Sequence, residues 1–113
     1  MNKIFSILVL VTFSQAAISM TVNDTLSARC HNDYLKISAI QSEQTNPKCI
    51  DSTYGGGFEF ASGYLLQNDL FHAKEALEYQ KQDLQNALNL NCKNLKLVKW
   101  GLLEINFITN IIG

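Results

Sequence analysis

Three cysteines, Cys30, Cys49 and Cys92, and two histidines, His31 and His72, are the side chains best suited to chemistry in this 113-residue chain. Cys30 and His31 set a thiol beside an imidazole, the two groups that a cysteine nucleophile and its general base require. Neighbours in a helix point about 100° apart, so these two cannot bond directly, and a working pair would need His72 brought in from another helix. Asp69, His72 and Glu75 recur at every third position, which would offer oxygen, nitrogen and oxygen ligands along one helical face. No second ligand cluster accompanies them, and the same spacing is ordinary on a helix that faces water. The glycines of "YGGGF", residues 54–58, are not followed by the Lys-Ser/Thr pair that a phosphate-binding loop needs, so they read as a flexible connection. GxSxG, HExxH and paired-carboxylate patterns are absent as well. The residues thus give no catalytic site, no metal site and no cofactor, and the expectation is a protein that is not an enzyme.

The cysteines have a different use if the chain is exported. "MNKIFSILVLVTFSQAAIS" carries Lys3, an apolar run from Ile4 to Phe13 and then small residues, which is the layout of a secretory signal peptide. Cleavage after Ser19, with Ala17 and Ser19 as the small-x-small pair, is preferred to cleavage after Ala16. The apolar run is far short of the roughly 20 residues that span a bilayer. The expectation is a secreted, extracellular protein able to keep disulfides. Residues 20–113 then form one small domain, and the formal charge moves from −1 to −2 with the loss of Lys3. That balance, with Arg29 the only arginine, excludes a typical nucleic-acid binder. Asn23-Asp24-Thr25 is a glycosylation sequon at the new N-terminus, and Asn23 or Asp24 is equally a candidate helix N-cap.

These side chains must be positioned by helices. Leu26, Cys30, Tyr34, Ile37 and Ile40 fall at spacings of three and four, predicting a helix over about 24–41. Residues 43–57 concentrate Pro47 and the three consecutive glycines, which predicts a long connection. Leu66, Leu70, Ala73, Leu77, Leu84 and Ala87 or Leu88 form a second stripe, interrupted by Gln80, and predict a helix over about 58–91. A straight helix of that span would be about 50 Å long. A late start near Ser62-Gly63 or a break near Asn89-Leu90-Asn91 is therefore expected. Val98, Leu102, Ile105, Ile108 or Thr109 and Ile112 predict a third helix over about 95–112, with a strand through "LEINFI" as the other reading. The fold class is all-α, a small three-helix domain with one disulfide.

Three cysteines allow three single pairings. Cys30 and Cys49 are close enough in sequence for a bridge, leaving Cys92 free or linking two copies as a homodimer. The other arrangement staples Cys49 to Cys92 and leaves Cys30 buried as a small apolar residue. Loop entropy separates them by under about 1 kcal/mol. The first is the expectation.

The "KCID" turn at 48–51, followed by a long apolar-striped helix that closes at Cys92, resembles the small helical accessory-gland peptides of insect seminal fluid. The resemblance covers Lys48 to Cys92 and implies a secreted reproductive factor that acts by binding an extracellular protein or receptor. The alternative function is membrane action through residues 93–113, where Lys93, Lys96 and Lys99 accompany Trp100 and a broad apolar face. An ordinary core helix is preferred for that segment, because a domain this small needs its apolar residues inside.

Overall fold

A threonine opens the first helix. Thr21 accepts from the Asp24 N–H while the Asp24 carboxylate accepts from the Thr21 N–H, a capping box that starts α1 (Val22–Ser38). The cap is thus Thr21, with Asp24 as its reciprocal partner, in place of Asn23 or Asp24. The computed structural model describes residues 21–39, 43–50 and 54–113. The expected signal peptide and Ile40 lie outside the described residues, as does part of the "CID" segment.

Leu26, Cys30 and Ile37 are buried along α1, and Tyr34 is half-buried. A single turn, α2 (Pro47–Ile50), interrupts the expected connection. Gly55 at φ +88° precedes α3 (Gly56–Leu66), so Gly56 and Gly57 belong to a helix rather than to a flexible loop. α4 (Leu70–Asn89) and α5 (Leu95–Ile112) complete the set. The architecture is all-helical among the described residues, with five helices in place of the expected three. The tail expected over about 95–112 is helix, not strand.

The extra break falls at Gln67-Asn68-Asp69. Asn68 takes a left-handed φ of 57°, its N–H donates to the Leu65 carbonyl, and the Asp69 N–H reaches back to the Tyr64 carbonyl. This is a Schellman ending with asparagine where glycine is usual. Asp69 then caps α4 by accepting from the His72 N–H. A second such ending closes α4, with Asn91 left-handed at φ 53° and the Cys92 N–H donating to Ala87. The break resets the apolar phase. Leu65 is buried and Leu66 exposed, the reverse of the single-helix stripe, while Ala73, Leu77, Leu84 and Ala87 remain in the core as expected.

The four longer helices form a ring, with α1 against α3 and α5, and α4 against α3 and α5. Small residues set the close crossings. Ser27 and Ser62 bond across α1 and α3, each hydroxyl donating to the other's carbonyl at 2.8–2.9 Å. A methyl on Gly101 would lie 2.8 Å from Leu84 Cδ1 and 2.9 Å from Ile37 Cδ1, so the bare position lets α5 pack closely between α4 and α1 without displacing those side-chain ends. On α3, a methyl at Gly57 would meet Gln80 Cβ at 2.6 Å and the Ala76 carbonyl at 2.7 Å. Gln80, the apparent flaw in the α4 stripe, is fully buried, and its Oε1 accepts from the Phe58 N–H at 3.0 Å. It caps the start of α3 from across the interface, where Gly55 has no side chain to do so.

The disulfide joins Cys49 to Cys92, with Cα atoms 6.1 Å apart, and Cys30 is a buried free thiol. This corrects the expected Cys30–Cys49 bridge and the expected free or intermolecular Cys92. The reason is tertiary. Gln44 clasps the backbone of Lys93 at both ends, Nε2 donating to its carbonyl at 3.0 Å and Oε1 accepting from its N–H at 2.9 Å. Asn94 donates to Glu43 beside it, so residues 43–49 lie along the turn that carries Cys92. Cys30 faces the core from the middle of α1 instead.

Candidate binding cleft between two helices

The hairpin of α3 and α4 leaves a cleft of about 400 Å³ on its outer side. Gly56, Gly57 and Ala76 lie between its two walls, and at Gly57 the helices approach so closely that a methyl would meet Gln80 Cβ and the Ala76 carbonyl. Phe60 and Tyr64, four apart on α3, form one wall. Glu75, Tyr79 and Asp83 form the other, spaced by four along α4 and therefore aligned on one face, a carboxylate on either side of a ring. Phe60 is 66% exposed and Tyr79 70%. Two large rings held open to solvent on facing helices have no role in the core, which makes this the best-formed candidate for a contact surface.

His72 closes one end. Its ring stacks on Tyr64 with centroids 5.2 Å apart, and Nδ1 donates to Asp69 Oδ2 at 2.7 Å. The His72 backbone N–H, with a smaller contribution from its ring, holds the Asp69 carboxyl below the usual range. Burial raises the Asp83 carboxyl, and no cation among the described residues offsets it. The Glu75 and Asp83 carboxylates make no hydrogen bond or ion pair with the described residues.

A second groove of about 410 Å³ lies between α1 and α3 around Ser27, His31, Glu59 and Ser62. It has no Phe, Tyr or Trp wall, and its two carboxylates are already engaged, Glu59 with His31 Nδ1 at 3.1 Å and Asp24 with the Thr21 N–H. The α3–α4 cleft is the better candidate.

The α1–α5 seam holds the other charged cluster. Arg29 grips Glu104 with two parallel bonds, Nε to Oε1 at 2.9 Å and Nη2 to Oε2 at 2.8 Å, and lies 4.0 Å from the centre of the Phe107 ring. Asp33 is buried beside them. Burial first, and then the neighbouring Glu104 carboxylate, push the Asp33 carboxyl up to about 7. Arg29 in turn holds Glu104 below the ordinary glutamate value.

The residues singled out in the sequence are largely dispersed. Burial, and then the negative field of Asp33, push the Cys30 thiol up to about 12, so it is neither exposed nor a thiolate. His31 points away to Glu59, and His72 lies at the α3–α4 turn, so no imidazole serves Cys30. Asp69 and His72 are spent on capping and on each other, and the described residues contain no group of three positioned to hold a metal ion. Asn23 is half-buried in the first turn of α1, with its amide donating to Asn68 Oδ1. Lys93, Lys96 and Lys99 are exposed, but Trp100 is half-buried under Lys36, whose Nζ is 4.1 Å from the ring centre. The exposed apolar side chains of α5 are Leu103, Phe107 and Ile111, spaced by four. No helix among the described residues is long and apolar enough to cross a membrane.

Phe60, Tyr64 and Tyr79 escaped the sequence reading. The signal was present in "FEFASGY", where Phe60 and Tyr64 stand four apart off the core stripe, and in "EALEY", where Tyr79 follows Glu75 by four, but a single long helix placed 58–66 and 75–83 end to end. Compared with known proteins, the chain matches no family model, no curated relative and no solved structure.

Proposed function

We propose that the protein is a secreted factor that acts by binding, an extracellular signalling or modulatory protein whose ligand sits in the α3–α4 cleft. The observation that carries this reading is the pair of exposed rings, Phe60 on α3 and Tyr79 on α4, that line one cleft between the two helices. A cleft of about 400 Å³ is within the size range of small-molecule sites, roughly 300–1,000 Å³. The Cys49–Cys92 bridge is in keeping with an oxidising compartment, which supports export. The resemblance of "KCID" and the following helix to accessory-gland peptides extends the proposal to a reproductive secretion.

Uptake of a neutral solvatochromic dye such as Nile red tests the cleft. Saturable one-site binding that disappears in the Phe60→Ala/Tyr79→Ala variant is the expected result. Uptake that never saturates, or that the variant leaves unchanged, refutes it. For export, intact mass of protein from the medium should lack residues 1–19, and retention of Met1 would count against secretion.

A second reading, membrane action, draws on Leu103, Phe107 and Ile111, which form an exposed apolar row on α5 beside Lys96 and Lys99. Dye release from anionic vesicles by the intact protein, lost in Leu103→Asp, would favour it over the cleft. A peptide of residues 93–113 that lyses vesicles while the intact protein does not would leave it without support.

A further inference from the structure

We infer that the α3–α4 cleft selects a small organic cation, an amine or quaternary ammonium that carries an aromatic or aliphatic body. This rests on the cleft being a binding site and names the chemistry of what it holds. The lining contains Glu75 and Asp83 and no lysine or arginine, and its one basic side chain, His72, is paired with Asp69. On α4 these carboxylates stand one turn to either side of Tyr79, so about 12 Å of helix reads carboxylate, ring, carboxylate. Phe60 and Tyr64 present two further rings from α3. Aromatic faces carry negative electrostatic potential and attract cations within about 6 Å of the ring centre.

Among the described residues neither carboxylate has a partner. Three carboxylates elsewhere among the described residues are taken up, Glu104 by Arg29, Glu59 by His31, and Asp69 by His72, whereas Glu75 and Asp83 stand open beside aromatic rings in one cleft. Asp83 is half-buried with its charge uncompensated. A ligand bearing positive charge would gain there an ion pair in partly desolvated surroundings, where attraction is stronger than in bulk water. An anion would meet repulsion from both carboxylates. A cleft of about 400 Å³ has room for a hydrocarbon body beside the charge.

Titration of the full chain, followed by amide and aromatic NMR shifts, tests this with three probes of one shape: 2-phenylethylamine, 2-phenylethanol and 3-phenylpropionate. The amine should bind about tenfold more tightly than the alcohol, and the acid more weakly than either. In Glu75→Gln/Asp83→Asn the preference for the amine should collapse to near unity while binding of the alcohol persists. Glu78→Gln, an exposed change outside the cleft, should leave the preference intact. Equal affinity for amine and alcohol in the unaltered chain overturns the cation assignment and leaves the cleft as an apolar site. Absence of shifts at Phe60, Tyr64 and Tyr79 with every probe also overturns it, and the neutral-dye measurement then decides the cleft separately.

Discussion

Replacing Asp33 by asparagine should flatten the dependence of stability on pH. Asp33 is 4% exposed, and its Oδ2 finds no donor among the described residues. The groups facing it are Arg29, Cys30 and Lys36 on its own helix and Glu104 on α5. Arg29 and Lys36 favour the charged form, but burial and Glu104 outweigh them and push the carboxyl up from 3.8 to about 7. The folded chain therefore holds a proton that the unfolded chain has released, so stability falls as pH rises across that window. At about 1.4 kcal/mol for each pH unit, the loss between those values is about 4 kcal/mol. Water entering the α1–α5 seam when Asp33 ionises reduces that figure. Glu104 acts on the other side: its folded value lies below 4.5, and the stability it contributes is lost as pH falls through that lower value. In Asp33→Asn the amide cannot ionise. Urea unfolding across the window from about 4 to about 8 is the assay, with the unaltered chain losing stability towards the alkaline end and the variant nearly level. The variant should then be the more stable protein above about 7. A variant whose curve runs parallel to that of the unaltered chain would refute the reasoning.

Cys49→Ser/Cys92→Ser should lose up to about 4 kcal/mol of stability, the chain-entropy value for a loop of 43 residues, read by urea unfolding; an unchanged midpoint would deny the bridge a structural role. In the unaltered protein, a maleimide should label no thiol in the native state and one, Cys30, in guanidinium, with peptide mapping by mass to confirm the site. Gly57→Ala should destabilise by about 1–3 kcal/mol or more, because the new methyl meets backbone at Ala76 as well as Gln80. Gly63→Ala, with open space around it, should instead stabilise the helix by about 0.5–1 kcal/mol, so equal effects at the two glycines in thermal unfolding would contradict the packing described.

Local periodicity is enough to dictate the all-helical class, the bounds of α5 and most of the core. Leu26, Cys30 and Ile37, then Ala73, Leu77, Leu84 and Ala87, then Val98, Ile105 and Ile108 repeat at helical spacing whatever lies opposite them. The turn at 67–69 was also written locally, in an asparagine suited to a left-handed position followed by an aspartate suited to an N-cap, but the continuous stripe on either side concealed it. The remaining features depend on which parts of the chain meet in space. Gln80 looked like a defect because the group it satisfies, the Phe58 N–H, belongs to another helix. Cys92 found Cys49 because Gln44 and Glu43 bring residues 43–49 to the 92–94 turn, a proximity that loop length cannot rank. The cleft exists because the chain folds back at Asn68 and packs α3 against α4, so that Phe60 and Tyr79 line one space, and no one-dimensional spacing records which helix faces will meet across a turn.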